Sequence, residues 1–249
     1  MVSGQLICKQ ERNLFCKPVS SPSWAPDSEQ LCYTLSGNIM IKNTTKGTTE
    51  QLTQDRRYLR PNWHPSKNKI AFDDAFRNIY AIDITTKEIV DSVINQDIGV
   101  AAQWLGDTDS VIVLMENAYK IVNIRTGNVL SDIKANLLTG VHTITYPAVL
   151  PDGTKIAFQA GNGIYIINTD GSGLQQILHN RTSRKPGKPF QPGDKLVGDM
   201  CWHPDGKHIL YQQVEFISSN IAPWGFLMGE GYSTIYKLNI EQALQINKP

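Results

Sequence analysis

The sequence predicts an all-β chain folded as a single β-propeller of four-stranded antiparallel blades. Three observations predict it: a turn motif that occurs five times, a regular spacing between its copies, and short apolar runs around each copy. The motif is an apolar anchor residue followed by Pro, Asp or Gly, and the anchors are Trp24, Trp63, Trp104, Val149 and Trp202. They lie 39, 41, 45 and 53 residues apart. A repeat of this length built from strands is typical of propellers.

The second repeat shows the expected blade most clearly. Residues 58–63 form an extended run, and after the turn at Pro65 residues 69–73 form a second strand rich in apolar side chains. Residues 78–83 alternate apolar and polar side chains, as a strand with one buried face does. Residues 88–93 follow as the fourth and outermost strand. Four antiparallel strands make one blade, and neighbouring blades must stack to bury both faces.

The whole chain, residues 1–249, is expected to form one propeller domain. The blades are predicted at about residues 20–54, 58–94, 99–134, 143–179 and 197–246. The N-terminal strands, within residues 4–19, have no anchor before them, and residues 241–245 have a helical pattern. We therefore expect the N-terminal strands to complete the last blade and close the ring. Five blades are predicted, and a sixth, degenerate blade built on the N-terminal hairpin is the alternative.

The repeat resembles the TolB-type (WD40-like) propeller repeat. The resemblance rests on the Trp-x-Pro-Asp-Gly turn, the Ile-Ala-Phe strand, the Ile-Tyr-x-x-Asp strand and the trailing pair Leu52 and Thr53, and it spans residues 20–240. The Trp-Asp ending and the Gly-His pair of WD-repeat blades are missing. Members of the TolB-like family bind proteins, carry a hydrolase domain or act on sugars, so the resemblance implies the fold and does not select the function.

Composition excludes several functional classes. The net charge is +1, so no overall field favours nucleic acid, and none is expected as a partner. No apolar run reaches the length of a membrane span, and none is expected. The first residues lack a basic region followed by an apolar core. The sequence therefore does not determine the compartment. The protein is expected to be cytoplasmic if this sequence is the translated one, and periplasmic or secreted if a signal peptide has been removed.

The four cysteines do not indicate a zinc site, because no Cys-x-x-Cys pair is present. Cys8 and Cys16 flank a predicted hairpin, and a disulfide and free thiols are both open for them. Cys32 and Cys201 fall in strands and are expected to be small core residues.

Propeller topology sorts the connections onto two faces. The turns between strands one and two and between strands three and four share one face, which we call the turn face. The turns between strands two and three and the links between blades share the other, which we call the loop face. The two longest irregular insertions, residues 180–194 and 217–231, both fall on the loop face in neighbouring blades. Such long loops are usually functional or disordered.

The predicted binding residues are the cations and aromatic side chains of this loop face. The first insertion carries Arg181, Arg184, Lys185 and Lys188, and the second carries Trp224 and Phe226. Arg56, Arg57 and Arg77 extend the positive rim from blade two. Aromatic and cationic side chains together suit a protein partner's acidic segment or an anionic, sugar-like ligand. The alternative is that the first insertion is a solvated linker and the second a plug over the propeller mouth.

The function expected from these residues is a non-catalytic scaffold that binds a protein partner, as a monomer without a cofactor. The alternative is a carbohydrate-active or other hydrolytic enzyme with its site at the axial mouth. That alternative would use Asp199 with Asp73 or Asp74, although the interpretation favoured for the last two is that they are solubilising charges at a strand edge. No catalytic set and no metal site are expected, and His64 and His203, at one repeat position, are interpreted as structural.

Overall fold

The computed structural model describes residues 19–55, 57–94, 99–115, 118–134, 147–161, 163–179, 193–221 and 227–246. Blade one contains β1 (Val19–Trp24), β2 (Gln30–Leu35), β3 (Asn38–Asn43) and β4 (Thr49–Gln51). Blade two contains β5 (Tyr58–Trp63), β6 (Lys69–Asp74), β7 (Ile79–Asp83) and β8 (Ile89–Val93). Blade three contains β9 (Val100–Trp104), β10 (Ser110–Met115), β11 (Ala118–Asn123) and β12 (Val129–Lys134).

Blade four contains β13 (Ala148–Val149), β14 (Lys155–Ala160), β15 (Gly163–Asn168) and β16 (Gln175–His179). Blade five contains β17 (Lys195–Trp202), β18 (His208–Ile221) and β19 (Leu227–Asn239), and it is followed by the helix α1 (Ile240–Ile246). The helix confirms the helical pattern predicted for residues 241–245.

The five sheets form a ring, which confirms the all-β, five-bladed propeller. In every sheet the strands lie in chain order and pair antiparallel, so sequence neighbours are also neighbours in space. Blades one to four have four strands, and blade five has three among the described residues. The N-terminal strands predicted to complete blade five fall almost entirely on residues 1–18, outside the described residues. Closure of the ring by that segment and the division into domains therefore stay predictions.

The repeated turn motif has a structural role at the seams between blades. In blade four the Asp152 Oδ1 atom accepts the N–H of Thr154 at 2.8 Å, and Gly153 has a φ of +77° that favours glycine. A Cβ on Gly153 would lie 2.9 Å from the backbone nitrogen of Gly106 in the turn of blade three. Asp-Gly therefore makes a tight turn that also lets two neighbouring blades approach closely.

The core lies between the blades rather than at one centre. Four apolar clusters fill the four seams from blade one to blade five. Tyr58, Phe72 and Tyr80 exemplify the packing, with ring centroids 4.8–5.6 Å apart. Since each seam takes one face from each blade, alternate residues of most strands are buried on opposite sides.

Two expectations about blade five are wrong. Residues 217–221 and 227–231 are not irregular: β18 and β19 continue as an antiparallel ladder out to the pair Ile221 and Leu227, with a register shift between Phe216 and Ser218. Backbone pairing explains the difference, because strand pairing satisfies the N–H and C=O groups that an irregular loop would leave open. Cys201 is exposed rather than a core residue, while Cys32 is buried as expected. Among the described residues no helix is both long and apolar enough to cross a bilayer.

Candidate functional site

The loop face of blade five is dominated by the β18–β19 hairpin. The inner strand β17 begins at Lys195, which pairs with Glu215, so residues 217–221 and 227–231 extend beyond it. Gly193 donates its N–H to the Phe216 carbonyl at 2.7 Å, and Phe216 donates its N–H to the Asp194 carbonyl at 3.0 Å. The end of the predicted basic insertion, residues 180–194, therefore meets the base of the hairpin that contains the predicted aromatic residues.

The predicted site residues fall into two groups. Arg57 and Arg77 are described, exposed, and lie on the loop face of blade two. The other predicted residues lie outside the described residues: Arg56, Arg181, Arg184, Lys185, Lys188, Trp224 and Phe226. For this second group the assignment to the site stays a prediction.

Arg57 is held over an aromatic ring at the start of blade two. Its guanidinium carbon lies 5.3 Å from the centroid of Tyr58, a cation–π geometry. The Tyr58 hydroxyl donates to Asp55 Oδ2 at 2.8 Å, and Arg57 Nη2 lies 3.8 Å from the same carboxylate. Burial is the main reason that the pKa of Tyr58 is raised. The arrangement keeps an exposed cation in a fixed position at the end of the blade.

Arg77 lies in the turn between β6 and β7, which Asp74 organises. Asp74 Oδ1 accepts the N–H groups of Phe76 at 2.8 Å and Asn78 at 3.0 Å, and Oδ2 accepts the Tyr80 hydroxyl at 3.1 Å. Burial pushes the pKa of Asp74 up, but these hydrogen bonds outweigh it and hold the pKa below its ordinary value. The turn leaves Phe76 75% exposed beside Arg77. Sequence reasoning missed Phe76, although an aromatic residue next to a turn cation was a usable signal.

Asp73 and Asp74 are not solubilising charges at an edge, because both are fully buried. Asp73 accepts from Arg60, with Nη2 2.8 Å from Oδ1 and Nε 2.9 Å from Oδ2. Arg60 has a φ of +51° and lies at the bulge of β5, between the paired residues Leu59 and Asn62. Both carboxylates are thus engaged in holding the end of blade two.

Asp199 occupies the equivalent bulge of blade five. The register of β17 shifts between Val197 and Met200, and Asp199 is exposed within that shift. Asp73 and Asp74, its suggested partners in the enzymatic alternative, are buried in blade two and bound to Arg60 and to the turn at Asn78. The structure therefore does not present the three carboxylates as one exposed set.

A cluster of metal-ligating side chains lies on the turn face of blade five. His203, Asp205 and His208 bring their ligand atoms within 4.8 Å of one another. Sequence reasoning treated His203 as structural and found no ligand-like spacing for His208. The missed signal is that residues on either side of a four-residue hairpin turn face each other, which makes His203 and His208 cross-strand neighbours.

Comparison with known proteins gives matches at the level of the fold. No protein-family model and no curated protein matches the sequence. A solved structure assigned as TolB from Agrobacterium tumefaciens superposes with a TM-score of 0.59 at 13% identity, covering 90% of this chain and 83% of that one. An oligogalacturonate lyase in complex with manganese superposes with a TM-score of 0.55 at 16% identity and covers 90% of this chain.

The chain spans 62% of the length of that lyase. At these identities the likeness concerns the backbone arrangement and does not transfer an activity. The repeat motif and the five sheets show that the fold of this chain is a five-bladed β-propeller, and its backbone arrangement is similar to that of the solved TolB structure.

Proposed function

We propose that this propeller is a non-catalytic scaffold that binds a protein partner through its loop face. The observation that supports it most is the β18–β19 hairpin, whose outer part, residues 217–221 and 227–231, extends past the inner strand β17. Strands that extend beyond their sheet offer backbone N–H and C=O groups to another chain. A protein segment is therefore the ligand that this hairpin suits best.

The side chains of the same face favour an acidic partner. Arg57 and Arg77 are exposed cations on blade two, and Phe76 is an exposed aromatic side chain beside Arg77. The sequence adds Arg184 and Lys188 in the insertion that ends at Asp194, and Trp224 in the segment between β18 and β19. Cations at a rim mainly accelerate association, while an aromatic anchor can contribute about 2 kcal/mol or more to binding.

The buried carboxylates of Asp73 and Asp74 support a scaffold without catalytic activity. A general acid or base must reach its substrate, and Asp73 and Asp74 are fully buried and engaged with Arg60, Asn78 and Tyr80. Their hydrogen bonds are those of residues that hold a blade end together.

The experiment that tests the proposal is affinity capture from a lysate of the source organism. The bait is wild type or the triple variant Arg184→Ala, Lys188→Ala, Trp224→Ala, and retained proteins are quantified by mass spectrometry. We expect a protein that wild type retains and the triple variant loses, while circular dichroism shows both baits folded.

Arg125→Ala is the matched control, because Arg125 is exposed on the turn face of blade three and pairs at 3.4 Å with Asp109. This variant removes one surface cation of the opposite face, so it should retain the partner. Equal retention by all three baits would contradict a loop-face partner.

A second candidate is a carbohydrate-active or other hydrolytic propeller. It is favoured by one specific observation, the exposed Asp199 at the bulge of the inner strand β17, and by the similarity in fold to an oligogalacturonate lyase. Turnover of an acidic glycan that is lost on Asp199→Asn would support this candidate over the scaffold. Absence of turnover across a panel of acidic glycans, with and without divalent cations, would count against it.

A further inference from the structure

The turn between β17 and β18 places three potential metal ligands on one short hairpin. The Asp205 Oδ2 atom lies 3.0 Å from His203 Nδ1 and 2.7 Å from His208 Nδ1. Two imidazole nitrogens therefore converge on a single carboxylate oxygen. The three side chains are partly accessible, between 22% and 36% exposed, so an ion could reach them from solvent.

The hairpin holds these groups in place through its backbone. His203 donates its N–H to the His208 carbonyl at 2.9 Å, and Gly206 donates its N–H to the His203 carbonyl at 3.0 Å. Asp205 Oδ1 accepts the N–H groups of Lys207 at 2.8 Å and His208 at 3.2 Å. Since Oδ1 is used by the turn, Oδ2 is the atom directed at the imidazoles.

His203 Nδ1 is the ring atom that faces the turn. It lies 3.3 Å from the backbone nitrogen of Asp205 and 3.0 Å from Asp205 Oδ2. His203 Nδ1 and His208 Nδ1 therefore face the same carboxylate oxygen, which is the arrangement that a shared cation needs.

The distances are close to those that a zinc ion requires. With Zn–N and Zn–O bonds of about 2.0–2.2 Å, tetrahedral ligand atoms lie about 3.3 Å apart. To reach that value, the Nδ1–Oδ2 distance of His203 has to grow by about 0.3 Å and that of His208 by about 0.6 Å. Two imidazoles and one carboxylate form an ordinary ligand set for a first-row divalent ion.

The corresponding turns of two other blades lack this set. In blade two, His64 is buried, and its Nδ1 accepts the N–H groups of Ser66 at 3.1 Å and Lys67 at 3.0 Å. Ser66 stands where blade five has Asp205, and Lys69 stands where it has His208. In blade four, the equivalent of Asp205 is Asp152, and it is flanked by Leu150 and Lys155 instead of histidines.

We propose that His203, Asp205 and His208 bind a first-row divalent cation through His203 Nδ1, His208 Nδ1 and Asp205 Oδ2, with zinc as the ion that this set suits and water completing the coordination. The site lies on the turn face, opposite the proposed partner-binding face. It stands whether or not the scaffold proposal holds.

Asn239 supplies a second test of the assigned atoms. Its Nδ2 lies 3.3 Å from His208 Nε2, while its Oδ1 accepts the N–H of Gln242 at 3.0 Å at the start of α1. Metal on His208 Nδ1 leaves Nε2 as a donor, which needs an acceptor rather than an amide nitrogen. Asn239→Asp supplies that acceptor and keeps a good helix N-cap, so it should tighten metal binding.

The experiment is a titration of the full chain with Zn²⁺ by calorimetry, with a chromophoric chelator in competition. Wild type should bind one ion per chain at this site. His203→Ala and His208→Ala should weaken binding by more than about tenfold, since even outer-shell partners cost this much. Asp205→Asn should also weaken it while keeping the turn, because the Asn side-chain oxygen can still accept the backbone N–H groups.

Two matched variants serve as controls. His179→Gln removes an exposed histidine from the outer strand of blade four, and Asp152→Asn changes the equivalent turn without a histidine beside it. Both should bind zinc like wild type. No zinc uptake by wild type, undiminished uptake by Asp205→Asn or His208→Ala, or no tightening by Asn239→Asp would overturn the proposal.

Discussion

The indole N–H of Trp202 donates a hydrogen bond of 2.8 Å to the carbonyl oxygen of Ala148 across the seam between blades four and five. The same relationship joins blades two and three, where Trp104 Nε1 donates to the Asn62 carbonyl at 3.0 Å. In both cases the acceptor residue directly precedes the anchor of the preceding blade. The repeated tryptophan thus joins two neighbouring blades by a hydrogen bond and is also an apolar core residue.

Replacing a tryptophan that donates a hydrogen bond to the neighbouring blade should destabilise the propeller. Trp104→Phe and Trp202→Phe should each lower the free energy of unfolding by about 1–3 kcal/mol, because a carbonyl in the seam between two blades loses its donor. Urea unfolding followed by circular dichroism measures the effect. Trp24→Phe is the matched control, because Trp24 occupies the same repeat position but is 58% exposed. An equal loss of unfolding free energy in all three variants would show that the hydrogen bonds between blades do not stabilise the propeller.

The ion pair between Arg60 and Asp73 should be sensitive to the loss of one partner. Arg60→Met leaves the buried Asp73 carboxylate without its guanidinium, which costs about 3–5 kcal/mol when a buried pair is broken this way. Adding Asp73→Asn should recover part of the loss, because the amide carries no charge. The free energies of unfolding of the two single variants and the double variant measure the coupling. Additive effects would show that the two side chains do not depend on each other.

His64 should make stability depend on pH. Burial lowers its pKa relative to the ordinary value of about 6.5, although its hydrogen bond with the Thr108 carbonyl opposes this. The unfolded chain then binds more protons than the folded chain between the two pKa values. The contribution of neutral His64 to the free energy of unfolding is therefore complete above the ordinary pKa and is lost as the pH falls below that value.

The variant His64→Asn tests this sign. Its side-chain oxygen can still accept the N–H groups of Ser66 and Lys67, but the side chain does not titrate. Between pH 7.5 and pH 5, wild type should lose more free energy of unfolding than the variant, as measured by urea denaturation. A pH dependence that is the same in both proteins would assign the acid sensitivity to other groups.

Removal of residues 1–18 tests the predicted closure of the ring. Among the described strands β19 pairs only with β18, and Ile235 is 75% exposed although its counterpart in blade two, Ile79, is buried. If the N-terminal strands complete blade five, the shortened chain should unfold at a lower urea concentration and bind more of a hydrophobic dye. An unchanged midpoint would leave blade five without the predicted fourth strand.

The architecture could be predicted from the sequence because the repeat encodes it locally. The Asp-Gly turns, the alternating strands and the tryptophan anchors can each be recognised from local sequence. Their spacing gives the length of one four-stranded blade. The length of the β18–β19 hairpin could not be read this way. Residues 217–221 and 227–231 contain Ser and Gly, so their strand character depends on cross-strand pairing rather than on local preference.

The site was harder to predict for a different reason. The burial of the Asp73 and Asp74 carboxylates depends on their contacts with Arg60 and Asn78, which arise only when the bulge and the turn are formed. The cluster of His203, Asp205 and His208 similarly requires the register of one hairpin. Composition gives no information on such contacts, because the same residue types also occur on surfaces without making them.

Site-specific photo-crosslinking is the measurement that decides whether a partner binds the loop face. A benzophenone amino acid is placed at Phe76, on the loop face, or at Thr126, an exposed residue of the turn face of blade three. After irradiation in lysate, we expect a crosslinked protein with the probe at position 76 and none with the probe at position 126. A partner that crosslinks from position 126 and not from position 76 would contradict it.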